Sequence, residues 1–256
     1  MNNLIGEIPA SIGLLNKIEM LDLSDNDLHG HVPFNVSPSL LIMVLGQNLP
    51  TEFCTSGPNL QGNLPRQMWN LTKLQDLFLG WNNLTGHIPS EIDNLSTLQR
   101  LSLRRNNLVG ILPPSIGNLS NLEMIDLGEN ILRGDIPREF EHLVNLKEVY
   151  LSSNRLSGEV PKSIFNISGL EKIAFVANEL SGILPSNIDH SPPNLEGLYL
   201  GRNQFSGLIP SSIVNSTKLI HLDLGRNLFT GHVCTHESWK STTASIHQLA
   251  NKPIDK

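Results

Sequence analysis

The sequence predicts an α/β repeat protein: a right-handed solenoid with a concave parallel sheet and short helical turns on its convex side. Three observations predict it. Leucines recur with a 24-residue step at Leu74, Leu98, Leu122, Leu146 and Leu170, and after one extra residue at Leu195 and Leu219. Each start opens the same apolar alternation, followed by an asparagine. Each alternation but the last, where Cys234 follows Val233, is then answered by a Gly-x-(Ile/Val/Leu)-Pro segment, and about nine near-periodic copies run through residues 1–233. Repeats of 20 to 50 residues are the signature of stacked architectures.

Each part of the phrase L-x-x-L-x-L-x-x-N-x-L-x-G-x-(I/V/L)-P-x-x-(I/F)-x-x-L has a physical task. The L-x-L segment alternates with period two, so it is a short strand with one buried face. The asparagines Asn26, Asn82, Asn106, Asn130, Asn154, Asn178, Asn203 and Asn227 are polar, yet fall among apolar positions. A buried amide must be hydrogen-bonded, and stacked copies can bond the backbone of adjacent turns. The glycine permits a bend that a Cβ would obstruct, and the proline fixes φ and ends regular pairing. The closing (I/F)-x-x-L spacing suits one helical turn. No single unit buries its leucines alone, and stacking does so in one continuous core. This phrase is the leucine-rich repeat.

Composition narrows the function. Lys+Arg 18 against Asp+Glu 24 gives no basic stripe, so nucleic acid is not an expected partner. The longest apolar run, Leu40 to Leu45, is far too short to insert in a membrane. No Ser/His/Asp set, carboxylate pair or phosphate loop stands out, so no enzyme activity and no cofactor are expected. His232, Cys234 and His236 supply fewer than the four ligands of a structural zinc site, and no metal is expected. Cys54 and Cys234 sit about seven strand spacings, or ~30 Å, apart, so both thiols are expected to be free.

Two regions depart from the period. Residues 49–59 interrupt one unit and should emerge as a loop. Residues 234–256 carry no repeat and are expected to be a poorly ordered tail. The chain starts in mid-repeat, without a basic apolar leader, and neither end shows a polar capping unit. The expectation is therefore a fragment or truncated product of a longer protein.

The form N-x-L-x-G-x-(I/L)-P, as in Asn83 to Pro89 and Asn154 to Pro161, is joined by linkers such as Ile116-Gly117-Asn118-Leu119-Ser120. It resembles the ectodomains of plant leucine-rich-repeat receptor-like serine/threonine kinases, notably the immune pattern-receptor subfamily. The resemblance covers residues 1 to about 233. It implies a second small β-ladder at the G-x-(I/L)-P segments. It also implies a peptide or protein ligand, a co-receptor ectodomain as partner, and a place on the extracellular face of the plasma membrane. The kinase motifs H-R-D and D-F-G are absent from the sequence. Two other readings stay open: a secreted inhibitor resembling the polygalacturonase inhibitors, and a non-binding truncated product.

If L-x-L faces the core, the intervening residues face out on the concave sheet. Aromatic and arginine side chains are the usual interface anchors. The candidate ligand-binding residues are Phe78, Trp81, Arg100, Arg104, Arg105, Asp126, Tyr150, Tyr199 and Arg202. Arg104 and Arg105 beside Asp126 and Glu129 read equally well as surface ion pairs of small value. N-x-S/T sequons at Asn70, Asn83, Asn94, Asn118, Asn166 and Asn215 are candidate glycosylation sites if the chain is exported, and Asn35 is a weaker one because Pro38 follows its Ser37.

Overall fold

The computed structural model describes residues 3–33, 36–46, 60–186, 188 and 192–231. The expectations for Asn35, the 49–59 insertion, Cys54, the His232-Cys234-His236 cluster and the 234–256 tail lie outside the described residues.

Nine parallel strands form one sheet in strict chain order, from Met20–Asp22 through Arg100–Ser102 and Met124–Asp126 to His221–Asp223. The central residue of each strand points inward and meets its counterpart one unit away, in the series Leu101, Ile125, Val149, Ile173 and Leu198. All five are fully buried. The core is one continuous column from Ile8 to Leu224, built mainly of Leu and Ile. Burial of that kind removes a few kcal/mol of apolar surface energy per side chain, about 1.5–3 each, and only neighbouring units supply it.

After eight of the nine strands the backbone turns through a residue of positive φ immediately before the ladder asparagine; after Ile42–Val44 that position lies outside the described residues. These residues are Asp25, Trp81, Arg105, Glu129, Ser153, Ala177, Arg202 and Arg226, with φ between 53° and 59°. None is glycine, so the sequence carried no signal for this column. The energetic cost of the left-handed region, about 1–2 kcal/mol per residue, is met by the hydrogen bonds of the asparagine that follows. In Asn130 the amide donates to the carbonyls of Leu103, Leu127 and Gly128, and its Oδ1 accepts from the Leu108 N–H at 3.0 Å. Asn106, Asn154, Asn178, Asn203 and Asn227 donate in the same pattern.

Asn82 departs from the ladder. Its Oδ1 is buried and has no partner among the described residues. In other units the donor lies two residues after the preceding ladder asparagine. Here the 49–59 insertion, outside the described residues, separates Asn48 from Leu60, which holds that place before Gly62.

The second ladder is present, as a four-stranded and a six-stranded parallel sheet. Its glycines do more than bend the chain. The site where a Cβ would stand at Gly110 is occupied by the His87 ring, at Gly158 by the Asp135 carboxylate, and at Gly62 by the His31 ring at 2.6 Å. The residue after each glycine thus lies across the glycine of the next unit, and its side chain fills that space.

The convex side carries short 3-10 turns, including Arg66–Asn70, Ser90–Asn94, Pro114–Asn118 and Arg138–His142, each preceded by the extended proline of the phrase. A further ladder tightens this face. Asn121 donates to the Ser96 carbonyl and Asn145 to the Ser120 carbonyl, both at 2.8 Å, and Asn194 donates to the Ser168 carbonyl at 3.1 Å. These asparagines immediately precede the leucine that opens each unit. That position was the available signal, and the reading of the consensus passed over it.

Candidate functional site

The concave strip divides into two groups and a rim. The first group joins Phe78, Trp81, Arg100, Arg104 and Arg105 across adjacent turns. Arg100 lies over the Phe78 ring, 5.6 Å from its centre, and its guanidinium makes a two-pronged bond to Asp76. Asp76 is on the same outward face, in register with Arg100. Its carboxylate is only 4% exposed and lies beneath Arg100, where it fixes the guanidinium in place. That bond and charge hold the Arg100 guanidinium above its ordinary pKa.

Trp81 is flanked by two guanidiniums. Arg105 stacks 4.1 Å from the ring centre and Arg104 stands 6.0 Å away. Arg104 also binds Glu129 through two nitrogens. Cation–π contacts of this kind contribute about 0.5–2 kcal/mol. Phe78 and Trp81 remain partly exposed, and Arg100, Arg104 and Arg105 are exposed. The result is an apolar floor edged by oriented cations.

Asp126 has an internal task. Its Oδ1 accepts the Gly128 N–H at 3.1 Å, closing the turn after its strand, as Asp22 and Asp223 do for Ser24 and Gly225. Burial pushes its carboxyl above the usual range, opposed by that N–H and by Arg104.

The second group lies farther along the sheet. The registers Tyr150↔Ala174 and Ala174↔Tyr199 place the two tyrosines two strands apart, or about 9.6 Å, with an alanine between them. Burial, helped by the Glu148 carboxylate, pushes the Tyr150 phenol up to about 12. Lys172 binds Glu148 at 2.8 Å beside it. Tyr199 lies flat over Gly197, whose missing Cβ gives the ring its space, and stacks on His221 with centroids 5.9 Å apart. Arg202 stands on the rim, exposed. Sequence reasoning missed Asp76, Glu148, Lys172 and His221 as members of these groups, while the Arg104–Glu129 pair is one it named. Opposite charges one repeat apart, such as Asp76 with Arg100 and Glu148 with Lys172, would have revealed two of the pairs.

All six sequon asparagines are exposed. Asn70, Asn94, Asn118, Asn166 and Asn215 each end a convex 3-10 turn, so they share one column away from the concave strip. Asn83 begins a strand of the second ladder. Among the described residues there is no group of His, Cys, Asp and Glu able to hold a metal ion. No helix among them is long and apolar enough to cross a membrane.

Two family models match, both described as leucine-rich repeat: one over residues 96–156, the other over 73–95 and 194–216. No curated protein matches the chain by sequence. Among solved structures, the plant peptide hormone receptor RGFR1 in complex with RGF2 is 31% identical with a TM-score of 0.82, over 89% of this chain and 35% of that one. The Arabidopsis receptor kinase HAESA, solved with the peptide hormone IDA and the co-receptor SERK1, is 31% identical with a TM-score of 0.71, over 89% of this chain and 41% of that one. A plant ice-binding protein is 27% identical with a TM-score of 0.73, over 89% of this chain and 78% of that one. The chain therefore spans well under half the length of these receptors, and the fold itself serves more than one purpose. The molecule is a leucine-rich-repeat solenoid similar in structure to the ectodomains of plant receptor kinases.

Proposed function

We propose that this chain is the ligand-recognition module of a plant receptor-like kinase. It takes a peptide or protein ligand along its concave strip and presents the complex to a co-receptor ectodomain outside the plasma membrane. Within the immune pattern-receptor subfamily that its repeat form resembles, the ligand would be microbial. The observation that carries the reading is the group around Trp81. An indole and a phenyl ring are held partly exposed on neighbouring positions, with three guanidiniums oriented over them. Rings and arginines of this kind anchor interfaces. The task is recognition.

The test is a selection of random displayed peptides on the whole chain, followed by calorimetry of the enriched ones. Trp81→Ala should weaken them by at least tenfold, since anchors of this type contribute about 2 kcal/mol or more. Ala177 occupies the equivalent position with φ 57°, so alanine at 81 does not strain the turn. Unchanged affinity would remove the strip as the binding surface.

On export, glycans are expected at Asn70, Asn94, Asn118, Asn166 and Asn215, and at Asn83, where the amide oxygen accepts from Asn107. Peptide mass spectrometry of chain secreted from plant cells checks this. Unmodified asparagines in secreted material would contradict it.

A further inference from the structure

The convex layer is interrupted at one place. Leu40, which opens its unit, follows Pro33 by seven residues, where Ile18 follows Pro9 and Leu74 follows Pro65 by nine. Among the described residues no 3-10 turn stands between Ala10–Leu14 and Arg66–Asn70. A groove of about 400 Å3 lies there. Its walls include Leu14 of the turn before, Val36 and Pro38 of the short unit, and Gln67, Asn70 and Leu71 of the turn after.

Two of those residues belong to one column of the solenoid. Leu14 ends its turn at the position that Asn70, Asn94 and Asn118 hold in theirs. That leucine is 81% exposed, an apolar side chain at the edge of an open groove. Asn70 is exposed at the other edge and opens the sequon Asn70-Leu71-Thr72. The neighbouring sequon at Asn118 has no such space. Its amide nitrogen donates to Asp93 of the adjoining turn at 3.1 Å, so a sugar there begins on a closed layer.

Resting on the export and glycosylation expected above, we propose that Asn70 carries an N-linked glycan whose first sugars lie in this groove and cover Leu14. Attachment replaces one Asn70 Nδ2–H by a bond to the anomeric carbon of a lipid-pyrophosphate-linked oligosaccharide. The pyrophosphate leaves with the electron pair of its own bond to that carbon, and the amide proton is released. The occupant is N-acetylglucosamine, which has C–H faces for Leu14, Val36 and Pro38 and hydroxyls for the Gln67 amide. Sites for small ligands run from about 300 to 1,000 Å3, so the groove admits sugar rings and not a folded partner. A glycan seated there takes apolar surface out of water and becomes part of the fold. Those on Asn94 and Asn118 stand away from the convex layer.

The experiment uses chain secreted from plant cells with high-mannose glycans. It is digested without denaturation by endoglycosidase H, which cuts between the first and second sugars, and each site is followed by peptide mass spectrometry. Asn70 should be cut at least about tenfold more slowly than Asn94 and Asn118, because cleavage must await a local opening. After denaturation the sites should be cut alike. Leu14→Ser should lower the melting temperature of the glycosylated chain by about 2–4 °C. In the Asn70→Gln background it should shift melting by no more than roughly 1 °C, as expected of an exposed side chain. Digestion of Asn70 as fast as the other sites, or equal melting shifts in the two backgrounds, would overturn the inference. So would an unmodified Asn70 in chain glycosylated elsewhere, which leaves the expectation for the other sites standing. Secreted chain without any glycan would overturn both.

Discussion

Asn130→Ala is expected to lower the unfolding free energy by roughly 3–5 kcal/mol, from the cost of leaving buried polar groups unpaired at about 1–3 kcal/mol each. The amide of Asn130 holds the Leu103 carbonyl of the preceding unit, and its Oδ1 holds the Leu108 N–H. Removing it orphans both ends of an inter-unit link in a molecule where each unit leans only on its neighbours. Asn82→Ala should cost distinctly less. Asn82 makes the donor bonds to Leu45, Leu79 and Gly80, but its oxygen already lacks a partner among the described residues. Urea titration of both variants, followed by far-ultraviolet circular dichroism, checks the ranking. Equal costs would mean that the accepting half of the ladder contributes nothing.

That contrast also shows where sequence reading reaches and where it stops. The strands, the ladder asparagines and the convex turns were legible because each depends on the identity of a residue at a fixed phase. Leu101, Asn106 and Ile116 could take no other place. The residue before each asparagine was not legible. Trp81, Arg105, Ser153 and Ala177 share one backbone conformation with no chemistry in common, so the turn is imposed by the hydrogen bonds around it. The candidate site was half legible. Phase alone placed Phe78, Trp81 and Arg100 on the outer face. Their partnerships depend on which rotamers meet across a turn, and only the structure shows that Arg100 rests on a buried Asp76 while Arg105 lies over the Trp81 ring. The aspartate at an outward position, Asp76, is covered by the arginine it holds.

Gly117→Ala is the second large effect expected, and it separates packing from conformation. The glycines of the second ladder have positive φ, 89° at Gly110, and an alanine there meets the far end of the His87 side chain, which can swing away. The cost is mainly backbone strain of about 1–2 kcal/mol. Gly117 is not among the residues with positive φ. It lies in the turn Pro114–Asn118, where a Cβ would stand against the carbonyl oxygen of Glu139 in the next turn, 2.8 Å from the carbonyl carbon and 2.6 Å from the Glu139 Cβ. Backbone in a packed neighbour has nowhere to go without parting the convex layer. Overpacking of this kind costs about 1–3 kcal/mol and more when the obstacle is rigid, so Gly117→Ala should exceed Gly110→Ala. Because the damage is confined to the convex side, peptides selected on the concave strip should bind the folded Gly117→Ala chain as tightly as the unaltered one. The reverse stability order would show that the convex layer yields. A matching loss of binding would show instead that the two faces are mechanically coupled through the core.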